Sequence, residues 1–178
     1  QKIKSLGLKV AFYQNLTDSR FLSDIFITPS IHQSNEFFKG FNPSTQLFQG
    51  LKYFTFNEEL FKLKEKQPIK EIKNIAITSG GSDPKNVLLS WFEILNDKRF
   101  DEFQFTLFYG NDYLHKDSIG NYKKENISWK KFDHLQILQN DFLVSAFGVS
   151  TYEFLALKMP LMTFGHIKQN AESAEFLS

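Results

Sequence analysis

Two stretches hold residues that could do chemistry: Ser79-Gly80-Gly81-Ser82-Asp83-Pro84 and Ser145-Ala146-Phe147-Gly148-Val149-Ser150-Thr151-Tyr152-Glu153. Each follows an apolar run with the character of a buried strand, Asn74 to Thr78 and Asp141 to Ser145. Each precedes an apolar-periodic run with the character of a helix. Small residues at such a corner leave backbone N–H groups uncovered, and a corner of this kind can hold a phosphate. Two of them in one α/β unit point to a ligand with a diphosphate at its centre, such as a nucleotide-sugar.

Both corners also have a purely structural explanation. With Ser150 as N-cap, its hydroxyl would accept from the Glu153 N–H and Glu153 would reach back to the Ser150 amide. That is a capping box, worth about 1 kcal/mol. The same geometry would turn the amides of Ser150 and Thr151 toward a phosphate. The Glu153 carboxylate would then offer two acceptor oxygens to a vicinal diol, as a ribose presents. Both hold together only if Glu153 gives up its cap on binding. At the first corner, Asp83 or Ser82 suits an N-cap, with Pro84 as the first helical residue. Gly80 and Gly81 would then serve a tight turn. Gly148-Val149-Ser150 is no nucleophile elbow, because Tyr152 stands where that motif needs glycine. His166 would lie at the same sheet end, as an exposed loop residue; His32 and His115 have no partner pattern. Asn57-Glu58-Glu59 reads as a helix start.

The elements that must position these corners follow from periodicity. Residues 8–12 and 24–28 read as short strands flanking a polar turn. Residues 29–50, broken by Gly40, Pro43 and Gly50, read as a long connecting loop, and 58–66 as a short helix or polar link. From Glu71 onward strands and helices alternate. Strands are expected at 75–78, 103–108, 127–129, 142–145 and 161–164, and helices at 85–96, 112–119, 133–139, 150–157 and 169–177. That alternation predicts an α/β fold, a doubly wound parallel sheet covered on both faces. In such sheets the ligand crevice lies outside the carboxyl ends of the strands.

Composition narrows the classes. The chain has 178 residues, 42% of them apolar, and a net charge of +1, so bulk electrostatics draws it to neither nucleic acid nor anionic membrane. It has no cysteine, and its four histidines show no i, i+4 pairing, so no metal site is expected. No segment approaches about 18 continuous apolar residues, so no membrane span is expected. Residues 1–4 do not resemble a signal peptide, and a cytoplasmic protein is the default expectation. The 21 phenylalanines sit at core-facing spacings such as Phe103 and Phe105, or Phe142 and Phe147, without an interleaved basic stripe.

Gly50-Leu51-Lys52-Tyr53-Phe54-Thr55-Phe56-Asn57-Glu58-Glu59-Leu60, Gly80-Gly81-Ser82-Asp83, the stretch from Ser145 to Glu153 with Lys158-Met159-Pro160, and Lys168-Gln169-Asn170 follow in order. In order and spacing the set resembles the UDP-sugar hydrolase of pseudaminic acid biosynthesis. That family is similar to the spore-coat polysaccharide proteins and to the peptidoglycan N-acetylglucosaminyltransferase. The resemblance implies two Rossmann-like halves of GT-B type. The C-terminal half would hold UDP, and the N-terminal half would supply the catalytic His and much of the sugar site.

By the same resemblance Gly81 and Ser82 would lie near the diphosphate, and Ser150 and Thr151 would bind it through amide and hydroxyl; Gly80 and Gly148, in the same two corners, are further candidate ligand-binding residues. Glu153 would hold the ribose, and Gln169 and Asn170 would sit near the sugar. No cofactor is implied. Residues 1–60 would be the end of the N-terminal half and a crossover, and 61–178 the nucleotide-binding domain. The family's Gly-His motif is absent, its Arg before the acidic pair is Asn57, and its Asn-Gln appears as Gln169-Asn170. The expected function is therefore the UDP-sugar-binding part of a hydrolase that cleaves the anomeric C–O bond. A glycosyltransferase on the same fold, or a non-catalytic binding module, is the alternative.

Overall fold

A computed structural model describes residues 2–30, 33–165 and 168–175. The chain divides into two compact units, Gln1–Phe56 and Asn57–Ser178.

The first unit opens with a single helical turn, α1 (Lys2–Ser5), followed by β1 (Ala11–Tyr13), β2 (Ile25–Thr28), α2 (Asn35–Phe38) and β3 (Gln46–Gln49). The strands form a parallel sheet in the order β1-β2-β3. The expected long loop at 29–50 is therefore corrected, since it contains a helical turn and a strand. Both elements have four residues, too few to show a period, and β3 is a largely exposed edge strand. What orders this region is aromatic packing. Phe26 is fully buried, with the Phe37 and Phe41 rings 5.9 and 4.9 Å away. The Arg20 guanidinium lies over Phe21 and Phe37, at 4.1 and 4.6 Å from the ring centres.

The second unit contains β4 (Asn74–Thr78), α3 (Val87–Leu95), β5 (Gln104–Tyr109), β6 (Ile127–Lys131), α4 (His134–Leu138), β7 (Phe142–Ala146), α5 (Val149–Ala156), β8 (Leu161–Phe164) and α6 (Lys168–Glu175). All five strands are parallel, in the order β6-β5-β4-β7-β8. This is the doubly wound, Rossmann-like arrangement, with its reversal of winding between β4 and β7. The central strands are apolar on consecutive positions because both faces are covered. Ile77, Leu107 and Val144 join Leu88, Phe92 and Leu95 of α3 in one core. Their neighbours Ala76, Phe108 and Leu143 point the other way, against Ile137 of α4 and Phe154 of α5. The helix expected at 112–119 is a 3-10 helix at Lys116–Asn121, where Ile119 is the sole apolar residue and Gly120 disfavours an α-helix. Among the described residues no helix is long and apolar enough to cross a membrane.

One contact holds each end of β4 in place. At the amino edge, Asp141 precedes β7 and its Oδ2 accepts from the backbone N–H of Lys73 and Asn74 (3.1 and 2.8 Å) and from the Asn74 side chain. Partial burial pushes the Asp141 pKa up, but the donors from Asn74 and Lys73 outweigh it and hold the carboxyl below its ordinary value of 3.8. At the carboxyl edge, Gly110 follows β5 directly. A Cβ there would stand 2.1 Å from the Gly81 carbonyl oxygen and 2.6 Å from that of Gly80. The Gly80–Gly81 backbone is thus pressed onto a residue that must lack a side chain.

A depressed folded-state pKa contributes stability that is present above the unfolded value and lost as pH falls through the folded one. Asp141→Asn is therefore expected to lower stability by about 1 kcal/mol at pH 7, with the difference from wild type shrinking below about pH 4. Urea unfolding at pH 7 and pH 3 measures it, and a difference unchanged at pH 3 would contradict the assignment. Gly110→Ala is expected to cost about 1–3 kcal/mol through overlap with the Gly81 backbone. Gly81→Ala, whose Cβ would meet nothing within 4 Å, is expected to leave the urea midpoint nearly unchanged. Equal midpoints for the two variants would rule out the close approach.

Candidate functional site

The site is built where β4 and β7 end. The two strands pair in parallel with Thr78 opposite Ser145, so their chains leave the sheet side by side, about 5 Å apart. The loop after β4 and the loop after β7 then line one open cleft of about 250 Å³. It lies at the reversal of winding, outside the carboxyl ends of the strands, where open α/β sheets bind ligands.

At the first corner the chain turns sharply after Ser79. Gly80 has φ +92°, and Asp83 and Asn86 have φ 42° and 53°, values that Asp and Asn tolerate better than most residues. The expected N-cap arrangement is corrected. Pro84 lies in the turn and α3 begins at Val87, behind an N-cap at Asn86. Asp83 still satisfies the helix start, but from a distance. Its carboxylate is buried and accepts from the N–H of Val87 and Leu88 at 2.8 and 3.0 Å. The amino end of α3 is thereby closed to a ligand. The loop amides are not: among the described residues nothing accepts from the N–H of Gly81 or Ser82.

At the second corner α5 begins at Val149, with Gly148 as N-cap. Thr151 closes the first turn, its Oγ1 accepting from the Gly148 N–H at 3.1 Å while its own N–H donates to the Gly148 carbonyl. The expected Ser150–Glu153 capping box is thus corrected. Glycine supplies the N-cap two residues earlier, and Thr151 takes the reciprocal role that Glu153 was expected to fill. The amides of Val149 and Ser150 have no acceptor among the described residues, and the positive end of α5 opens into the cleft.

Of the sequence-predicted residues, Gly80, Gly81, Ser82, Gly148 and Ser150 line the cleft. A Cβ on Gly80, Gly81 or Gly148 would meet nothing within 4 Å, so these positions face open space. Thr151 is fully buried with its hydroxyl committed to the turn. Glu153 stands outside the lining, and its Oε2 lies 2.9 Å from Nε2 of His134. Gln169 and Asn170 are in the first turn of α6; their side chains, like His32 and His166, lie outside the described residues.

Three contributors are not among the residues that the sequence assigns to ligand binding, although Ser79 belongs to the first stretch. Ser79 borders the cleft, and its buried hydroxyl has no hydrogen-bond partner among the described residues. Phe132, just past β6, forms part of the wall. His134, at the start of α4, pairs with Glu153. Gly110 at a strand end carried a readable signal, whereas the His134–Glu153 contact spans 19 residues and had none. Among the described residues no lysine or arginine lines the cleft, so backbone amides and serine hydroxyls are the donors that they offer. Among the described residues no group of three His, Asp or Glu is placed to hold a metal ion.

No family model matches the chain. It is similar to an uncharacterized protein of Methanocaldococcus jannaschii, 28% identical over 177 residues. The match takes in 91% of this chain, which spans 36% of the relative's length.

Proposed function

We propose that the second unit binds the diphosphate of a nucleotide-sugar in the cleft between the β4 and β7 corners, and that the complete protein is a UDP-sugar hydrolase. The observation that carries the reading is a set of unpaired donors on one open space. These are the amides of Gly81, Ser82, Val149 and Ser150, and Ser79, which borders the same cleft, adds a buried hydroxyl without a partner among the described residues. A buried hydroxyl without a partner costs about 1–3 kcal/mol, and a phosphate oxygen would relieve that cost. The amides would contribute as in other anion sites at helix starts. Uridine as the nucleoside, and hydrolysis as the reaction, rest on the resemblance of the ordered motifs.

The chemistry follows from the donor set. In hydrolysis a water oxygen bonds to the anomeric carbon, the C–O bond to the diphosphate breaks, and UDP departs with the electron pair. Donors fixed around the diphosphate stabilise the charge that develops on the leaving oxygen. The resemblance assigns the residue that takes the water's proton to the family's N-terminal half, so this cleft would supply leaving-group binding rather than the base.

Calorimetric titration of the chain is expected to show UDP binding and much weaker uridine binding. Gly81→Val places a side chain where a Cβ would meet nothing within 4 Å. It is expected to weaken UDP at least about tenfold, the cost of losing more than one donor contact. Ser79→Ala is expected to cost about 1 kcal/mol. Equal affinity for uridine and UDP, or unchanged UDP binding by Gly81→Val, would overturn the proposal. For the complete protein, incubation with UDP-sugar and no acceptor is expected to release free sugar; recovery of intact UDP-sugar would exclude hydrolysis.

A further inference from the structure

The turn that follows β5 touches the loop after β4 at two places. Gly110 lies against its glycines, where a Cβ would meet the carbonyl oxygens of Gly81 and Gly80. Tyr113, three residues on, reaches the far end. Its hydroxyl donates to Oδ1 of Asn86 at 2.5 Å, and Asn86 is the N-cap of α3. The Tyr113 N–H donates to the Gly110 carbonyl at 3.3 Å, so residues 110–113 form one turn. The segment from Gly80 to Asn86 is therefore held near both ends by a single neighbour.

Asn86 departs from the usual behaviour of a cap. An N-cap asparagine ordinarily accepts from an N–H of its own helix. This one makes no such bond, because Asp83 already accepts from Val87 and Leu88. The Asn86 side-chain oxygen serves Tyr113 instead. Its backbone closes the loop, with φ 53° and an N–H that donates to the Asp83 carbonyl at 3.0 Å. The Tyr113 ring is 4% exposed, with the rings of Tyr109 and His115 5.8 and 5.6 Å away. Burial, and after it the charge of Asp83, pushes the Tyr113 hydroxyl up to about 12. The hydroxyl thus keeps its proton and stays a donor through the neutral range.

The loop between these holds has little to order it from within. Its two adjacent glycines are the most conformationally free residues a chain can carry. The Gly80 N–H reaches Thr78 Oγ1 only at 3.4 Å, and the next two amides have no acceptor among the described residues. A loop ordered only on binding loses affinity to the cost of ordering, whereas one fixed beforehand does not.

Building on the diphosphate reading of the cleft, we infer that Tyr113 is a positioning residue. Through Asn86 it clamps the glycine loop, so that the amides of Gly81 and Ser82 are set for a diphosphate before one arrives.

The test reads the free protein and the complex separately. In ¹⁵N relaxation of the unliganded chain, the Gly81 and Ser82 amides of wild type are expected to show order parameters of about 0.85, as in rigid backbone. In Tyr113→Phe they are expected to fall below about 0.6, with Ile77 of β4 unchanged. By calorimetry Tyr113→Phe is expected to bind UDP about fivefold more weakly, as for loss of one neutral hydrogen bond. Asn86→Gly keeps the left-handed backbone accessible and removes the acceptor. Adding Tyr113→Phe to it is expected to weaken UDP no further, since both changes remove the same contact. The inference is overturned if Tyr113→Phe leaves either the two order parameters or the UDP affinity as in wild type, or if it weakens UDP a further fivefold in the Asn86→Gly background. Those outcomes, with wild type binding UDP, leave the diphosphate reading standing. No UDP binding by wild type brings down both.

Discussion

Everything at this site depends on one pairing, the parallel ladder between β4 and β7 with Thr78 level with Ser145. Parallel neighbours leave the sheet at the same edge. Because the winding reverses between them, the chain after one turns to one face and the chain after the other to the opposite face. The gap that opens is lined by the first residues after each strand. A slip of one residue would turn every side chain of a strand to the wrong face. The ladder is therefore set by apolar neighbours such as Ala76 and Ile77, or Leu143 and Val144, which are buried on opposite sides.

Within that gap the two corners do different work. After β4, Asp83 uses both carboxylate oxygens on the start of α3, which spends that helix's positive end internally and leaves only loop amides for a ligand. After β7, Gly148 and Thr151 satisfy each other, and the next two amides of α5 stay open. An anion would thus meet a helix end from one side and a glycine loop from the other. With no lysine or arginine in the wall among the described residues, selectivity would come from the geometry of N–H groups rather than from net charge. A backbone N–H must be paired by something, and the absence of Cβ atoms on Gly80, Gly81 and Gly148 is what keeps these within reach.

Much of this was legible in the sequence, for identifiable reasons. The strand-helix alternation after Glu71 appears because parallel strands buried on both faces are continuously apolar. The two corners stand out because glycine and serine cluster where an apolar run stops. The strand expected at 161–164 is β8, Leu161–Phe164, and other elements begin or end one to a few residues from where periodicity puts them. Elements of four residues in the first unit were hidden, since neither α2 nor β3 is long enough to reveal a period. Helix starts differ from expectation where two chemically suitable caps compete. Gly148 displaced Ser150, and Asn86 in a left-handed conformation displaced Asp83. The His134–Glu153 pair could not be seen, because only the fold brings α4 and α5 against the same face of the sheet.

The most direct measurement is an amide chemical-shift titration of the ¹⁵N-labelled chain with UDP. The account predicts that the largest shifts fall on Gly81, Ser82, Val149 and Ser150, with uridine alone leaving them nearly unmoved. Shifts centred elsewhere, or an equal response to uridine, would contradict the claim that these two corners jointly hold a diphosphate.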